Sequence, residues 1–194
     1  MYLASKTPVN DLATATIFAF YPIVAAGALP APPLDRLAVG GLSGRRVYLR
    51  FEIPPIVLDS VQVIRASLQL TQPPSRSAGG NRDTLTLYTQ AVLASPEVTD
   101  VFTASQFLSP LGVFFVDTLR MMPGDSLPRS VELVNLVRAW RIVGTEHTTR
   151  AVVLSVREES SSPGEVNFYS SSGPADLRPR LRLTYVPRRG FGLP

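Results

Sequence analysis

Residues 46–53 read Arg46, Val47, Tyr48, Leu49, Arg50, Phe51, Glu52, Ile53, an unbroken alternation of polar and apolar side chains. On an extended chain successive side chains point to opposite faces. Val47, Leu49, Phe51 and Ile53 therefore share one face, and Arg46, Tyr48, Arg50 and Glu52 share the other. A helix would scatter the same residues around its circumference. The segment is a strand with one buried and one wet face, and Pro54 and Pro55 stop it.

The pattern recurs along the chain. Residues 61–71 place Ala66, Leu68 and Leu70 inward against Arg65, Ser67 and Gln69. Leu85 and Leu87 alternate within 84–90, Val152, Leu154 and Val156 within 151–156, and Leu181, Leu183 and Tyr185 within 180–185. A short strand is expected at 166–169, and Val113, Phe114, Phe115 and Val116 read as a strand buried on both faces. Residues 73–81 and 158–164 are polar loops, and 121–125 a turn. The 18 prolines and 13 glycines fall between these runs, as they do in proteins of many short strands. The expected fold is all-β, a two-sheet antiparallel β-sandwich of jelly-roll type.

One segment changes period. Leu133, Leu136, Val137 and Trp140 fall at helical spacing, which predicts one short amphipathic helix near 131–143. Ser130 is its expected N-cap and Gly144 its terminator, and the helix would lid one end of the sandwich. Nothing between 35 and 187 reads as a linker. That span is taken as one domain, preceded by an apolar, proline-rich arm at 1–34 and followed by a tail at 188–194.

From Leu12 to Leu34 no residue is charged, and Ile17, Phe18, Phe20, Tyr21 and Ile23 make the arm strongly apolar. A membrane-spanning helix needs about 20 apolar residues, but Pro22 interrupts this run and Pro30, Pro32 and Pro33 close it. An export signal would carry a positive start, and Lys6 is offset by Asp11. A β-strand at 14–21, rich in β-branched and aromatic residues, is the favoured reading; an export signal and a membrane-proximal segment are the alternatives. The same apolar side chains make the arm a candidate docking element for a protein partner.

Chemistry is sparsely provided for. The chain has no cysteine, which excludes disulfides and thiolate metal sites. His147 is its single histidine and sits in a polar turn, so a Ser-His-Asp triad or histidine metal site is not expected. Glu158 and Glu159 are adjacent in a loop and point apart, unlike a glycosidase pair. The glycines at 40, 41 and 44 precede a strand, whereas a phosphate loop opens a helix; they read as a turn. Lys6 is the sole lysine, and the arginines that carry the formal charge of +4 are spread through every segment. Nucleic-acid binding needs a focused basic patch, so it is not expected. Trp140 is expected as a core anchor, with sugar stacking the alternative. The row Arg46, Tyr48, Arg50 and Glu52 is the candidate binding face: it could grip a uronic acid through arginine–carboxylate pairs, or be an ordinary solvated sheet face. No cofactor, metal ligand or catalytic residue is assigned.

The order of elements resembles a known family. Arg45, Arg46, Leu49, Arg50 and Phe51 are similar to the "RR-x-x-L-R-F" strand of DNRLRE-type domains, carbohydrate-binding-module-like β-sandwiches of secreted bacterial proteins. Ile64, Ala66, Leu68 and Leu70 resemble the strand that follows in that family, residues 133–140 its "V-x-x-L-V-x-x-W" helix, and residues 178–185 its closing "R-P-x-L-x-V-x-Y". The family's opening aspartate has no counterpart near residues 14–17, and its tryptophan-bearing middle segment is replaced by Val98, Thr99, Asp100, Val101 and Phe102. The resemblance implies a sandwich fold and an extracytoplasmic place, in the periplasm or at the cell surface, membrane association included. Together these readings lead to a non-catalytic accessory or structural subunit that docks onto a larger protein assembly at the bacterial envelope. The alternative is a carbohydrate-binding module for acidic polysaccharide.

Overall fold

The alternation at 46–53 appears directly as burial: Val47 and Ile53 are buried, Leu49 and Phe51 half-buried, and Arg46, Arg50 and Glu52 exposed. The computed structural model describes residues 31–41, 44–54, 60–74, 84–110, 117–122, 124–141, 150–156, 159 and 164–187. The strand expected at 14–21, the run at 113–116, Gly144, His147, Glu158 and the tail at 188–194 lie outside the described residues.

The strands are β1 (Arg36–Gly40), β2 (Val47–Arg50), β3 (Val61–Thr71), β4 (Leu85–Val92), β5 (Thr118–Met121), β6 (Pro128–Glu132), β7 (Ala151–Val156), β8 (Glu165–Tyr169) and β9 (Arg180–Pro187). Two short helices interrupt them, α1 (Val101–Ser105) and α2 (Val134–Ala139). All described pairings are antiparallel. One sheet has the order β2-β7-β4-β5 and the other β6-β3-β9. The fold is an all-β sandwich.

A third ladder, β1 with β8, was not expected from the sequence. β1 lies near β2 and β7 while β8 lies near β3, so the pair spans the two larger sheets. The chain enters β2 from β1 by a tight reversal. Gly40 and Arg45 exchange backbone hydrogen bonds, and the Gly44 N–H donates to the Gly41 carbonyl. Gly40, Gly41 and Gly44 all have positive φ, so the glycines at this point build the turn that the sequence predicts.

The principal core is formed by the inward faces of both sheets together with β1 and β8, with Leu68, Leu70, Leu87, Leu154 and Phe168 at 0% exposure. Burying each such side chain contributes about 1.5–3 kcal/mol. Trp140 joins this core at 6% exposure, its ring tilted 43° against Phe51 at 6.1 Å between centroids. A second, smaller cluster (Val92, Ala94, Ala104, Ala151 and Val153) lies on the opposite face of β7.

That second cluster corrects one expectation. β7 was read as buried on one face through Val152, Leu154 and Val156, yet all six of its residues are buried. The segment 93–110, with α1 inside it, folds back over the sheet: the Leu93 N–H donates to the Phe107 carbonyl at 2.7 Å, and Ser109 and Ala91 exchange backbone and hydroxyl bonds. The face that alternation marks as wet is covered here by protein.

The helix is also shorter and differently started than its periodicity suggests. Ser130 is not an N-cap. It lies in β6 opposite Gln69, and Leu133 occupies the cap position with no side-chain capping bond. A three-residue apolar spacing fits an edge strand followed by one and a half turns as well as it fits a longer helix, and pairing of Ser67, Leu68 and Gln69 with 130–132 decides for the strand. α2 is held by burial of Leu136 and Val137 and by Arg138, whose Nε donates to the Val63 carbonyl at 2.9 Å.

Candidate functional site

The candidate row on β2 lies beside the folded-back segment. Tyr48 is half-buried and divides two shallow clefts. One, about 240 Å3, is lined on one side by Tyr48, Arg50 and Ala151 and on the other by Asp100, Val101 and Ala104. The other, about 380 Å3, is bordered by Arg36, Arg45, Arg46, Val47 and again Val101. Their walls are mainly apolar.

The arginines around Tyr48 are engaged. Arg46 donates through both Nε and Nη2 to the two carboxylate oxygens of Glu159, each at 2.7 Å, the bidentate geometry that guanidinium and carboxylate share. These bonds push the Arg46 pKa above its ordinary value, so the side chain stays cationic. Arg45 pairs with Glu165 at 2.7 Å across the β1–β8 ladder. Arg50 donates to the carbonyls of Pro96 at 3.1 Å and Val98 at 3.3 Å, which ties the covering segment to β2. Arg36 lies 3.2 Å from Asp35 and stacks over the ring of Tyr169 at 4.4 Å. Glu52 is exposed at the end of the row. The structure thus brings Tyr48 and Arg50 into one cleft, turns Arg46 towards the second, and gives both cations protein acceptors.

The covering segment carries a feature that the sequence reading did not single out. Asp100 caps α1: its side chain accepts from the Thr103 N–H at 2.7 Å, and this bonding lowers the carboxyl pKa. Only Ala104 of α1 is buried. The helix therefore presents Val101 (57% exposed) and Phe102 (73%) outward, with Phe107 (50%) just beyond it. Leu93, hydrogen-bonded to Phe107 through the backbone, is exposed as well. An aspartate directly before two apolar residues was the available signal, but it suits a turn as readily as a helix.

The proposed docking side chains Ile17, Phe18, Phe20, Tyr21 and Ile23 lie outside the described residues. Glu159 is the partner of Arg46. No group of three or more His, Cys, Asp or Glu side chains placed to hold a metal occurs among the described residues, and no helix among them is long and apolar enough to cross a membrane. No family model matches the chain, and no curated protein matches it.

Proposed function

We propose that the chain is a non-catalytic β-sandwich module that docks onto a protein partner within a larger assembly, on the extracytoplasmic side of a bacterial envelope. The observation that carries the docking reading is the exposure of Leu93, Val101, Phe102 and Phe107 on one short segment that packs on the sheet through Ala94 and Ala104. Large exposed apolar side chains carried on a segment that is hydrogen-bonded to β4 suit a protein interface, where aromatic residues supply most of the binding energy. Engagement of Arg45, Arg46 and Arg50 with acceptors of the protein itself weighs in the same direction, because an acidic glycan would have to compete for them. The place at the envelope rests on the resemblance to secreted DNRLRE-type domains alone.

The test is purification of the native protein with its surroundings intact, followed by native mass spectrometry. A stoichiometric protein partner is expected, released by the double substitution Phe102→Ser and Phe107→Ser while the melting temperature stays unchanged. A monodisperse monomer that is retained on a polyuronate column would sink this reading.

That outcome would favour the second one, a carbohydrate-binding module. Its supporting observation is the 240 Å3 cleft, where the Tyr48 ring, Arg50 and Asp100 converge. In that case Tyr48→Ala and Arg50→Ala should abolish retention without unfolding the protein.

A further inference from the structure

β9 is an edge strand with an unfinished apolar row. In the sheet β6-β3-β9 it pairs with β3 on one side, and no described residue pairs with it on the other. Leu181 lies opposite Leu68, Leu183 opposite Ala66 and Tyr185 opposite Val63. Those three β3 residues are at 0% exposure, yet Leu181 and Leu183 are only half-buried and Tyr185 is 49% exposed. Burial falls away within a single strand spacing. An eight-residue edge that carries such a row is a template for a further strand.

The sequence of the edge says which strand fits it. Pro179 and Pro187 stand at equal distances on either side of Leu183. Proline donates no N–H to a ladder, so the two prolines bracket a segment, 180–186, that is centred on Leu183. Laid antiparallel on a copy of itself with a twofold axis at Leu183, this segment sets Leu181 against Tyr185, Arg182 against Thr184 and Arg180 against Val186. Leucine then meets an aromatic ring, and no arginine directly faces another, a like-charge pairing that would be destabilising. Moving the axis to Leu181 would set Arg180 against Arg182, and moving it to Arg182 would set that residue against itself. The edge is therefore complementary to its own sequence in one register.

We propose that two copies of this chain pair through β9, antiparallel and with the twofold axis at Leu183. The two three-stranded sheets join as β6-β3-β9-β9-β3-β6, and the rows Leu181, Leu183 and Tyr185 of both copies cover one another. The same patch serves both subunits, as a twofold interface requires. The inference goes beyond the docking reading and is independent of it, because the exposed residues of that reading lie over the other sheet.

Sedimentation velocity of the full chain over a range of concentrations tests the proposal, and substitutions read the register. A reversible equilibrium between monomer and dimer is expected. Val186 is 45% exposed, so a change there spares the core. Val186→Arg sets a second arginine against Arg180 of the other copy, and Val186→Glu sets a carboxylate there. Each change acts twice across the axis, so the first should raise the dissociation constant of the dimer and the second lower it, each by roughly two- to thirtyfold. Because the chain has no cysteine, oxidation of Leu183→Cys reports on one position. It should give a disulfide-linked dimer, since directly opposed residues lie within disulfide range. Leu181→Cys should give none, its counterpart being displaced along the strand. A monomer at every concentration overturns the proposal, and protection of all β9 amides from hydrogen exchange in that monomer would show that the chain covers its own edge. A dimer that ignores the charge at position 186 and is not joined through Leu183→Cys forms elsewhere, and overturns it equally.

Discussion

Gly40 shows how narrowly a single position can be specified. Its φ of +93° is a conformation that side chains rarely adopt, and an added Cβ would stand 2.7 Å from the Gly164 carbonyl oxygen and 2.9 Å from a Val156 methyl. Backbone cannot yield there as a side chain can. Gly40→Ala should destabilise the protein by roughly 2–4 kcal/mol, combining strain and overpacking, measured by urea denaturation. Gly164→Ala should cost less, because its added carbon meets the far end of the flexible Leu85 side chain. Asp100 gives a prediction of another kind. The hydrogen bonds from Thr103 depress its folded pKa, so its stabilising contribution is present above the unfolded value of about 3.9 and is lost as pH falls through the folded value. Protection of the Thr103 amide should fall progressively below about pH 4, and Asp100→Asn should flatten that fall. An unchanged pH profile in the variant would show that the cap is not ionised. The residue scale is also where sequence reading was weakest. The acceptors of Arg46 and Arg50 lie 113, 46 and 48 residues away in the chain, so no local pattern could reveal that they were engaged.

At the scale of elements, legibility followed the kind of burial each strand experiences. β2, β3, β4 and β9 alternate in sequence because each has one face against the core, and all four were foreseen. β1 buries Ala38, Val39 and Gly40 in succession and so shows no alternation, and β5 alternates over four residues only, whereas the pattern around β2 runs on through 46–53. β6 was absorbed into the expected helix because Val131 is also apolar and sits close to the helical series. One substitution separates these descriptions, and a second tests the core anchor. Ser130→Ala should change stability by no more than about 0.5 kcal/mol, as for an exposed edge position, whereas loss of a true N-cap typically costs about 1 kcal/mol. Trp140→Ala should cost about 3–5 kcal/mol, since it empties a buried ring site against Phe51. Chemical denaturation of both variants beside the parent checks the pair. The candidate site divided in the same way. Tyr48 and its neighbours were visible as the polar face of an alternating strand, but Phe102 and Phe107 depended on a fold-back that only tertiary contacts of 91–93 with 107–109 reveal.

For the whole molecule the dominant fact is that most pairings join distant parts of the chain. β1 pairs with β8, β2 with β7 and β3 with β9. Closing such loops before their contacts form slows folding, so refolding should occur in milliseconds to seconds or longer, not microseconds. Trp140 is the chain's single tryptophan and is buried, so its emission should be blue-shifted when folded and shift to the red on unfolding, which makes it the natural probe in stopped-flow refolding. A relaxation complete within microseconds would contradict the topology described here.

The pairing of β3 with β9 has a further consequence for the chain as it is made. β3 is complete early in synthesis, yet its open side cannot be covered until residues 180–187 have been translated and have left the ribosome. β1 likewise waits for residues 165–169. Through most of its synthesis the nascent polypeptide therefore presents unpaired apolar strands to its surroundings. Such a chain offers a long interval in which chaperones can hold it, or a translocation channel can thread it, before the sandwich shuts.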